Sequence, residues 1–188
     1  MTPEEFKRRL KERESQIKQM IRSTAPRIVG AKLANFYKEN YRKGGYLDNG
    51  FHPWSTTWRQ RMGAKGAEGR YSPLLSKRNR LFSAIQYSPG DASVTIYNNT
   101  PYAKIHNEGG ETHPRVTKQM RKYFWAMYYK NGGKNGSVLA DTYKWMALTK
   151  KKTLSLKIPK RQFIYDSAEA KRMVKEIIKE ETKKILLA

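Results

Sequence analysis

Apolar residues recur at helical spacing at both ends of this chain, and at strand spacing only in two short runs between them. That distribution restricts the fold to helices gathered around a small amount of sheet. At the N-terminal end, Thr2-Pro3-Glu4-Glu5 holds the parts of a helix start, with Thr2 as cap, Pro3 in the first turn and Glu5 to complete a capping box. Phe6, Leu10, Ile17 and Ile21 then form a narrow apolar stripe among many charges. A stripe this narrow is weak alone and is expected to pack on another subunit or element. Pro26 is expected to break or restart the helix, with Thr24 as a new cap. Ile28, Val29, Leu33, Phe36 and Tyr37 make a second, better stripe, ended by Gly44-Gly45. At the far end, Asp166-Ser167-Ala168-Glu169 caps a last helix with Met173, Val174, Ile177, Ile178 and Ile185 on one side.

The middle of the chain is more broken. Trp54 and Trp58 stand four apart and are expected to share a helical face, and residues 63–69 read as a mobile loop. Leu74 to Ile85 reads as a short helix, and Ser88-Pro89-Gly90-Asp91 as a turn. Val94 to Tyr97 alternates as a strand. Val116, Met120, Tyr123, Phe124 and Met127 return to helical spacing, with Trp125 and Tyr129 on another side. That helix is expected to be buried on two sides, one of them at a subunit contact. Asn131 to Ser137 reads as a flexible loop, and Thr153 to Ile158 as a strand stopped by Pro159. The fold class is therefore α+β: a small antiparallel sheet with packed helices and a long helical N-terminal arm. Residues 1–45 are expected to form the arm and residues 46–188 the α+β body of one structural unit.

Only 38% of the 188 residues are hydrophobic, against 29% charged, so the core is thin and partners are expected to complete some burial. Twelve Tyr and four Trp supply contact area with a polar edge, which suits interfaces. The formal net charge is +23, and it is uneven: residues 112–165 hold thirteen Lys or Arg and one acid, Asp141. Nucleic acid, acidic protein surfaces and anionic membranes are the partners such charge admits. The C-terminal stripe is flanked by lysines, but Glu169, Glu176, Glu180 and Glu181 share that helix, so it reads as a docking helix rather than a membrane one. No apolar run is long enough to span a bilayer, and no apolar h-region follows Met1, so the product is expected to stay in the cytosol of the cell that makes it. The absence of Cys excludes disulfides, thiol catalysis and Cys-ligated zinc.

Reactive constellations are missing too. His106 and His113 flank Glu108 and Glu111, but their spacing matches no metal-ligand pattern, so no metal and no cofactor is assigned. His106 is expected to hydrogen-bond to backbone near a turn. No Gly-x-Ser-x-Gly elbow, paired carboxylates or phosphate-binding glycine loop occurs, which counts against a nuclease or a peptidoglycan hydrolase and leaves no catalytic residue to name. The candidate contacts to a partner or to DNA are Arg115, Lys118, Arg121, Lys122, Lys150, Lys151 and Lys152. Tyr123 and Phe124 beside them belong to the helical stripe. No helix-turn-helix or zinc finger accompanies them.

Two segments carry a resemblance. One runs from Tyr102-Ala103 through His106 to Gly109-Gly110, preceded by Leu81 to Ile85 and Val94 to Asn98; the other is Ile158-Pro159-Lys160-Arg161-Gln162-Phe163-Ile164. Together they resemble the phage virion morphogenesis family, which includes the tail completion proteins of Mu-like phages. The second segment is similar to its Pro-x-Arg-x-Phe box, here Pro159, Arg161 and Phe163. The resemblance implies a structural protein of a tailed phage, in the neck or at the tail end of the virion and in the host cytoplasm during assembly, with no substrate and no cofactor. It also implies a homo-oligomeric ring, six-fold by analogy, with the tail tube and head-connector proteins as partners and no membrane. In that light Tyr102 and Ile105 are expected to pin the first segment to the sheet, Gly109-Gly110 to turn the chain away, Arg161 to pair with a carboxylate on this or the next subunit, and Phe163 to anchor in apolar surface. Many relatives carry Gly soon after the Phe of the box, where this chain has Tyr165, which puts a positive-φ turn there in doubt. DNA must slide quickly through a tail joint, and a strongly basic lumen would hold phosphates. Much of the positive charge is therefore expected to face acidic partner proteins or the outside, with only a few lysines near packaged DNA and only non-specific contact with it. The alternative is a basic DNA-binding accessory protein of phage assembly.

Overall fold

The N-terminal capping box forms as its residues dictate: Thr2 Oγ1 accepts from the Glu5 N–H, and the Glu5 carboxylate accepts from the Thr2 N–H. It opens α1 (Pro3–Gln19), which passes through a π-helical turn (Met20–Thr24) into α2 (Ala25–Lys43). Beyond α2 come the hairpin of β1 (Gly45–Leu47) and β2 (Phe51–Pro53), the short helices α3 (Trp58–Arg61) and α4 (Arg80–Ser83), and a second hairpin of β3 (Ile85–Gly90) and β4 (Ser93–Asn98). Then follow α5 (Ala103–Glu108), β5 (Gly110–Thr112), α6 (Lys118–Lys130), α7 (Val138–Leu148), β6 (Leu156–Ile158) and α8 (Ala168–Leu187). The computed structural model describes residues 2–61 and 70–187, so the expected loop at 63–69 lies outside the described residues. The chain is α+β, and its antiparallel pairing is divided among three two-stranded ladders, β1–β2, β3–β4 and β5–β6.

The helical run does not break at Pro26 but restarts there as an α-helix: after the π turn, α2 opens at Ala25 with Pro26 in its first turn, while Thr24 is itself helical and its side chain caps nothing. Proline has no N–H, so the Arg22 carbonyl one turn back loses its helical partner. The wider π turn exposes that carbonyl, and it accepts instead from the Ala92 N–H at 3.1 Å, at the tip of the β3–β4 hairpin. The Arg22 guanidinium holds the neighbouring Asp91 carboxylate through two bonds of 2.8 Å. A long-range partner thus satisfies the backbone group that proline orphans. The turn itself is Asp91-Ala92, with Ala92 at φ 48°, and not Ser88–Asp91: Ser88 to Gly90 remain paired with Ser93 to Thr95 in the ladder.

α2 is the spine of the main core. Val29, Leu33, Tyr37 and Tyr41, four apart on one face, are all buried, and Leu81, Ile85, Phe163 and Ile177 pack around them. Gly44 closes the helix in the left-handed conformation, its N–H returning to the Asn40 carbonyl at 2.9 Å. α8 packs along α2, and its start is capped by Ser167 Oγ, which accepts from the Ala170 N–H, and by Asp48 Oδ1, which accepts from the Ala168 N–H, each at 3.0 Å. Tyr41 is completely buried, and its hydroxyl meets no hydrogen-bond partner among the described residues. Tyr41→Phe removes an uncompensated polar group and is expected to stabilise the fold by about 1 kcal/mol. A thermal melt should then rise by roughly 2–4 °C for a chain of this size, and a fall would show that the hydroxyl has a partner.

Other expectations shift. Trp54 and Trp58 do not share a helix. Trp54 follows β2 and is buried edge-on to Tyr41, whereas Trp58 opens α3 and meets Tyr143 of α7. Of the helix expected from Leu74 to Ile85, only Arg80–Ser83 forms, and Ile85 starts β3, where pairing with Asn98 outcompetes another helical turn. The second ladder strand shortens to Leu156–Ile158, with Thr153 bridging only to Arg115. Residues 131–137 include a 3₁₀ turn, Gly133–Asn135, between α6 and α7. Those two helices form a hairpin with a core of its own: Phe124, Tyr128, Leu139, Ala140, Tyr143 and Ala147. Within the chain α6 is covered on one side: Phe124 and Tyr128 are inside, while Tyr123 and Tyr129 are exposed, on the side expected at a subunit contact.

Candidate functional site

The two segments singled out in the sequence meet in space. α5 carries the first of them, and the second arrives after β6 has paired with β5, Gly110 opposite Ile158. The Arg161 N–H donates to the His106 carbonyl at 2.9 Å. Asn107 then clamps the next turn of chain: its Oδ1 accepts from the Phe163 and Ile164 N–H groups at 2.9 and 3.0 Å, and its Nδ2 donates to the Ile164 carbonyl at 3.0 Å. Gly109 makes the approach feasible. Its φ is 77°, and a Cβ there would lie 2.8 Å from the Lys160 nitrogen, so the site excludes side chains on both counts.

Each residue of the box has a defined place. Pro159 is exposed just beyond β6. Arg161 is 5% exposed, and its Nε and Nη2 donate to the Ser55 carbonyl at 3.2 and 3.0 Å. It therefore lies inside the fold on a backbone carbonyl, because only an interior acceptor satisfies a guanidinium so deeply buried. Phe163 is 1% exposed, with its ring 5.3 Å from that of Tyr41. Tyr165, two residues past the Phe of the box, has no positive φ and is tied on both sides. Its hydroxyl donates to the Leu47 carbonyl and accepts from the Leu47 N–H and Asn40 Nδ2, while its own carbonyl accepts from the Tyr37 hydroxyl at 2.6 Å. Burial pushes the Tyr37 phenol up to about 12, so it remains a donor through the physiological range.

On the α5 side, Ala103 is buried, and Tyr102 is exposed with its ring edge-on to His106 at 5.9 Å. In place of the expected pinning to the sheet, Tyr102 makes this edge-on contact with the helix that it precedes. Ile105 packs near Gly110, where the chain turns at φ 148°. His106 departs from expectation: its Nδ1 is buried and meets no partner among the described residues. Burial, and secondarily the Arg161 charge, hold its imidazole below the ordinary histidine value. The unfolded chain therefore takes up a proton near pH 6.5 while the folded protein does not. Stability is full above that pH, falls as the pH drops below it, and levels off below the folded pKa. Tm measured from pH 7.5 to 5 should decline, and His106→Phe should flatten the decline; parallel curves for the two proteins would refute this role. Glu111, also weighed as a metal ligand, accepts from Ser155 and pairs with His113 at 3.4 Å. Among the described residues no group of three or more His, Asp or Glu could hold a metal ion.

The basic candidates gather at the open end of the α6–α7 hairpin. Thr117 caps α6 through the Met120 N–H at 3.1 Å, which places Lys118, Arg121 and Lys122 in its first turns. Cations there oppose the helix dipole. Arg121 Nη1 offsets part of this by donating to the Ala147 carbonyl at the end of α7, 2.7 Å away. The Val116 N–H donates to the Lys152 carbonyl at 2.9 Å, which brings Arg115 and Lys150, Lys151 and Lys152 to the same end, all of them exposed.

A profile of the phage virion morphogenesis family matches residues 4–183, from the first turn of α1 almost to the end of α8. The chain belongs to the phage virion morphogenesis family. Comparison with curated proteins and with solved structures found no match. Membership gives the protein a part in building a phage virion, and with it contact with other virion components. Among the described residues no helix is long and apolar enough to cross a membrane. Within the chain these two segments join α5, β5 and β6 to the core under α2. Two residues that carry this junction received no role from the sequence. Asn107 lies within the first segment, ahead of the double glycine, and Tyr165 stood out only as a departure. A signal for α7 was present in Leu139, Ala140, Tyr143 and Ala147, which recur at helical spacing after Ser137.

Proposed function

We propose that this protein completes the tail of a tailed phage or joins it to the head connector, acting as a homo-oligomeric ring in the neck without turning over a substrate. The observation that carries this reading, beside the family, is the exposure of α1. Helical structure runs from Pro3 to Lys43, about 60 Å at 1.5 Å per residue, and α1 has no buried residue of its own. Its largest apolar side chains, Phe6 and Leu10, stand in solvent. A helix so placed is stabilised by a neighbouring chain, and α1, the exposed first part of residues 1–45, serves as the arm that reaches it while α2 stays in the core. Ring formation on the tail tube supplies such a neighbour.

Imaging of particles made with and without this product tests the reading. Finished particles with the product in the neck, and separated heads and tails without it, are the expected results. Indistinguishable particles that lack the protein in both cases would refute it. Charge reversal at Lys150-Lys151-Lys152 tests where the charge points. Failed assembly supports partner-facing lysines, whereas normal assembly with leaking or abnormally ejected DNA overturns them. The exposed basic end of the α6–α7 hairpin favours one rival, a DNA-binding accessory protein. Salt-dependent binding of duplex DNA by the free protein, without ring formation or incorporation into particles, would establish it.

A further inference from the structure

α7 carries apolar side chains on both faces, and only one face is covered. Leu139, Ala140, Tyr143 and Ala147 are buried within the hairpin, while Val138, Trp145 and Leu148 are 69%, 75% and 55% exposed. Val138, Asp141, Trp145 and Leu148 follow one another at intervals of three, four and three residues and so make a single outward stripe. A helix that is apolar all round belongs in an interior. Large apolar residues grouped on a surface mark interaction sites, and tryptophan is among the residues that dominate binding energy when a partner covers it. The Arg121 bond to the Ala147 carbonyl fixes the end of α7 against α6 and holds the stripe in place before any partner arrives.

We infer that the outward face of α7 docks onto another virion protein, at an apolar cleft rimmed by carboxylates that receives Trp145. The inference deepens the assembly reading and rests on it for the supply of that partner. Charge selects the occupant. Lys144 borders the stripe, and Lys150, Lys151 and Lys152 follow it, all exposed, while Asp141 is the only acid from residue 112 to 165. A second copy of this chain, with 39 Lys and Arg against 16 acids and a net charge of +23, meets these lysines with mostly further positive charge, which opposes pairing with another copy. Duplex DNA suits the lysines and wastes the stripe: Val138 and Leu148 gain nothing from phosphate, and Asp141, between Val138 and Trp145, would face one. An acidic protein surface satisfies every part, with carboxylates for the lysines, apolar area for the stripe and one hydrogen-bond donor for Asp141.

The test uses the full-length chain, supplied to phage-producing cells that lack their own copy. With p-benzoylphenylalanine replacing Trp145, irradiated particles are expected to yield a cross-link to an acidic segment of a different virion protein. A cross-link to a second copy of this chain, to DNA, or to nothing overturns the inference. Trp145→Ser is expected to melt within about 2 °C of the wild type, since its side chain is exposed, and to enter particles at least about tenfold less often. Incorporation at the wild-type level overturns the docking face while the assembly reading stands. A much lower melting temperature would show Trp145 to be packed within its own chain and would also overturn it. If the unaltered protein never enters particles or their precursors, the assembly reading falls, and the docking face with it.

Discussion

Truncating Phe163 to alanine is expected to cost about 3–5 kcal/mol, the usual range for emptying a buried phenylalanine site. The ring is 1% exposed and lies where α2, the segment after β6, and the start of α8 converge, against Tyr41 at 5.3 Å. Tyr41 is in turn edge-on to Trp54 and Phe82, so a void at Phe163 opens onto a set of rigid rings that collapse poorly. With a total stability on the order of 5–15 kcal/mol, that loss leaves a substantial unfolded population at growth temperature. Phe163→Leu keeps most of the volume and should cost less than half as much. Urea unfolding followed by circular dichroism measures both; a Phe163→Ala midpoint close to the wild type would mean that the ring is not the anchor it is taken to be.

Asn107→Ala is expected to follow closely, at roughly 2–4 kcal/mol. The side chain satisfies two backbone N–H groups and one carbonyl of the opposite segment, and alanine leaves all three without that partner. Asn107→Asp separates the contributions. It keeps an acceptor for the Phe163 and Ile164 N–H groups but sets a carboxylate oxygen against the Ile164 carbonyl, so it should recover part of the lost stability, and more at a pH that protonates it. A loss no smaller than that of alanine at every pH would show that the two N–H bonds contribute little. Because Asn107 holds the backbone on either side of Phe163, the two sites are coupled, and the double mutant should lose less than the sum of the singles.

What was legible in the sequence was local. The Thr2–Glu5 capping box, the face of α2 through Val29, Leu33 and Tyr37, the Gly44 stop, the Ser167 cap and the β4 strand are each specified by residues within a few positions of one another. Periodicity and cap chemistry therefore expose them. The ordered pair of family segments was legible for the same reason, being two contiguous runs of residues. The α7 helix was equally local and was missed because two of its inward positions are alanines, which leave a faint apolar trace.

The tertiary structure alone decided everything that joins distant positions. The clamp spans 56 residues from Asn107 to Phe163, the Arg161 head finds a carbonyl at Ser55, and Trp54 and Trp58 part company into different cores. Pro26 reads as a helix breaker until Ala92 is folded against Arg22 to take the orphaned carbonyl. A chain displays its short-range preferences in its own order of residues, whereas a backbone group buried far from its neighbours accepts whichever partner the packing delivers, and only the folded arrangement names that partner.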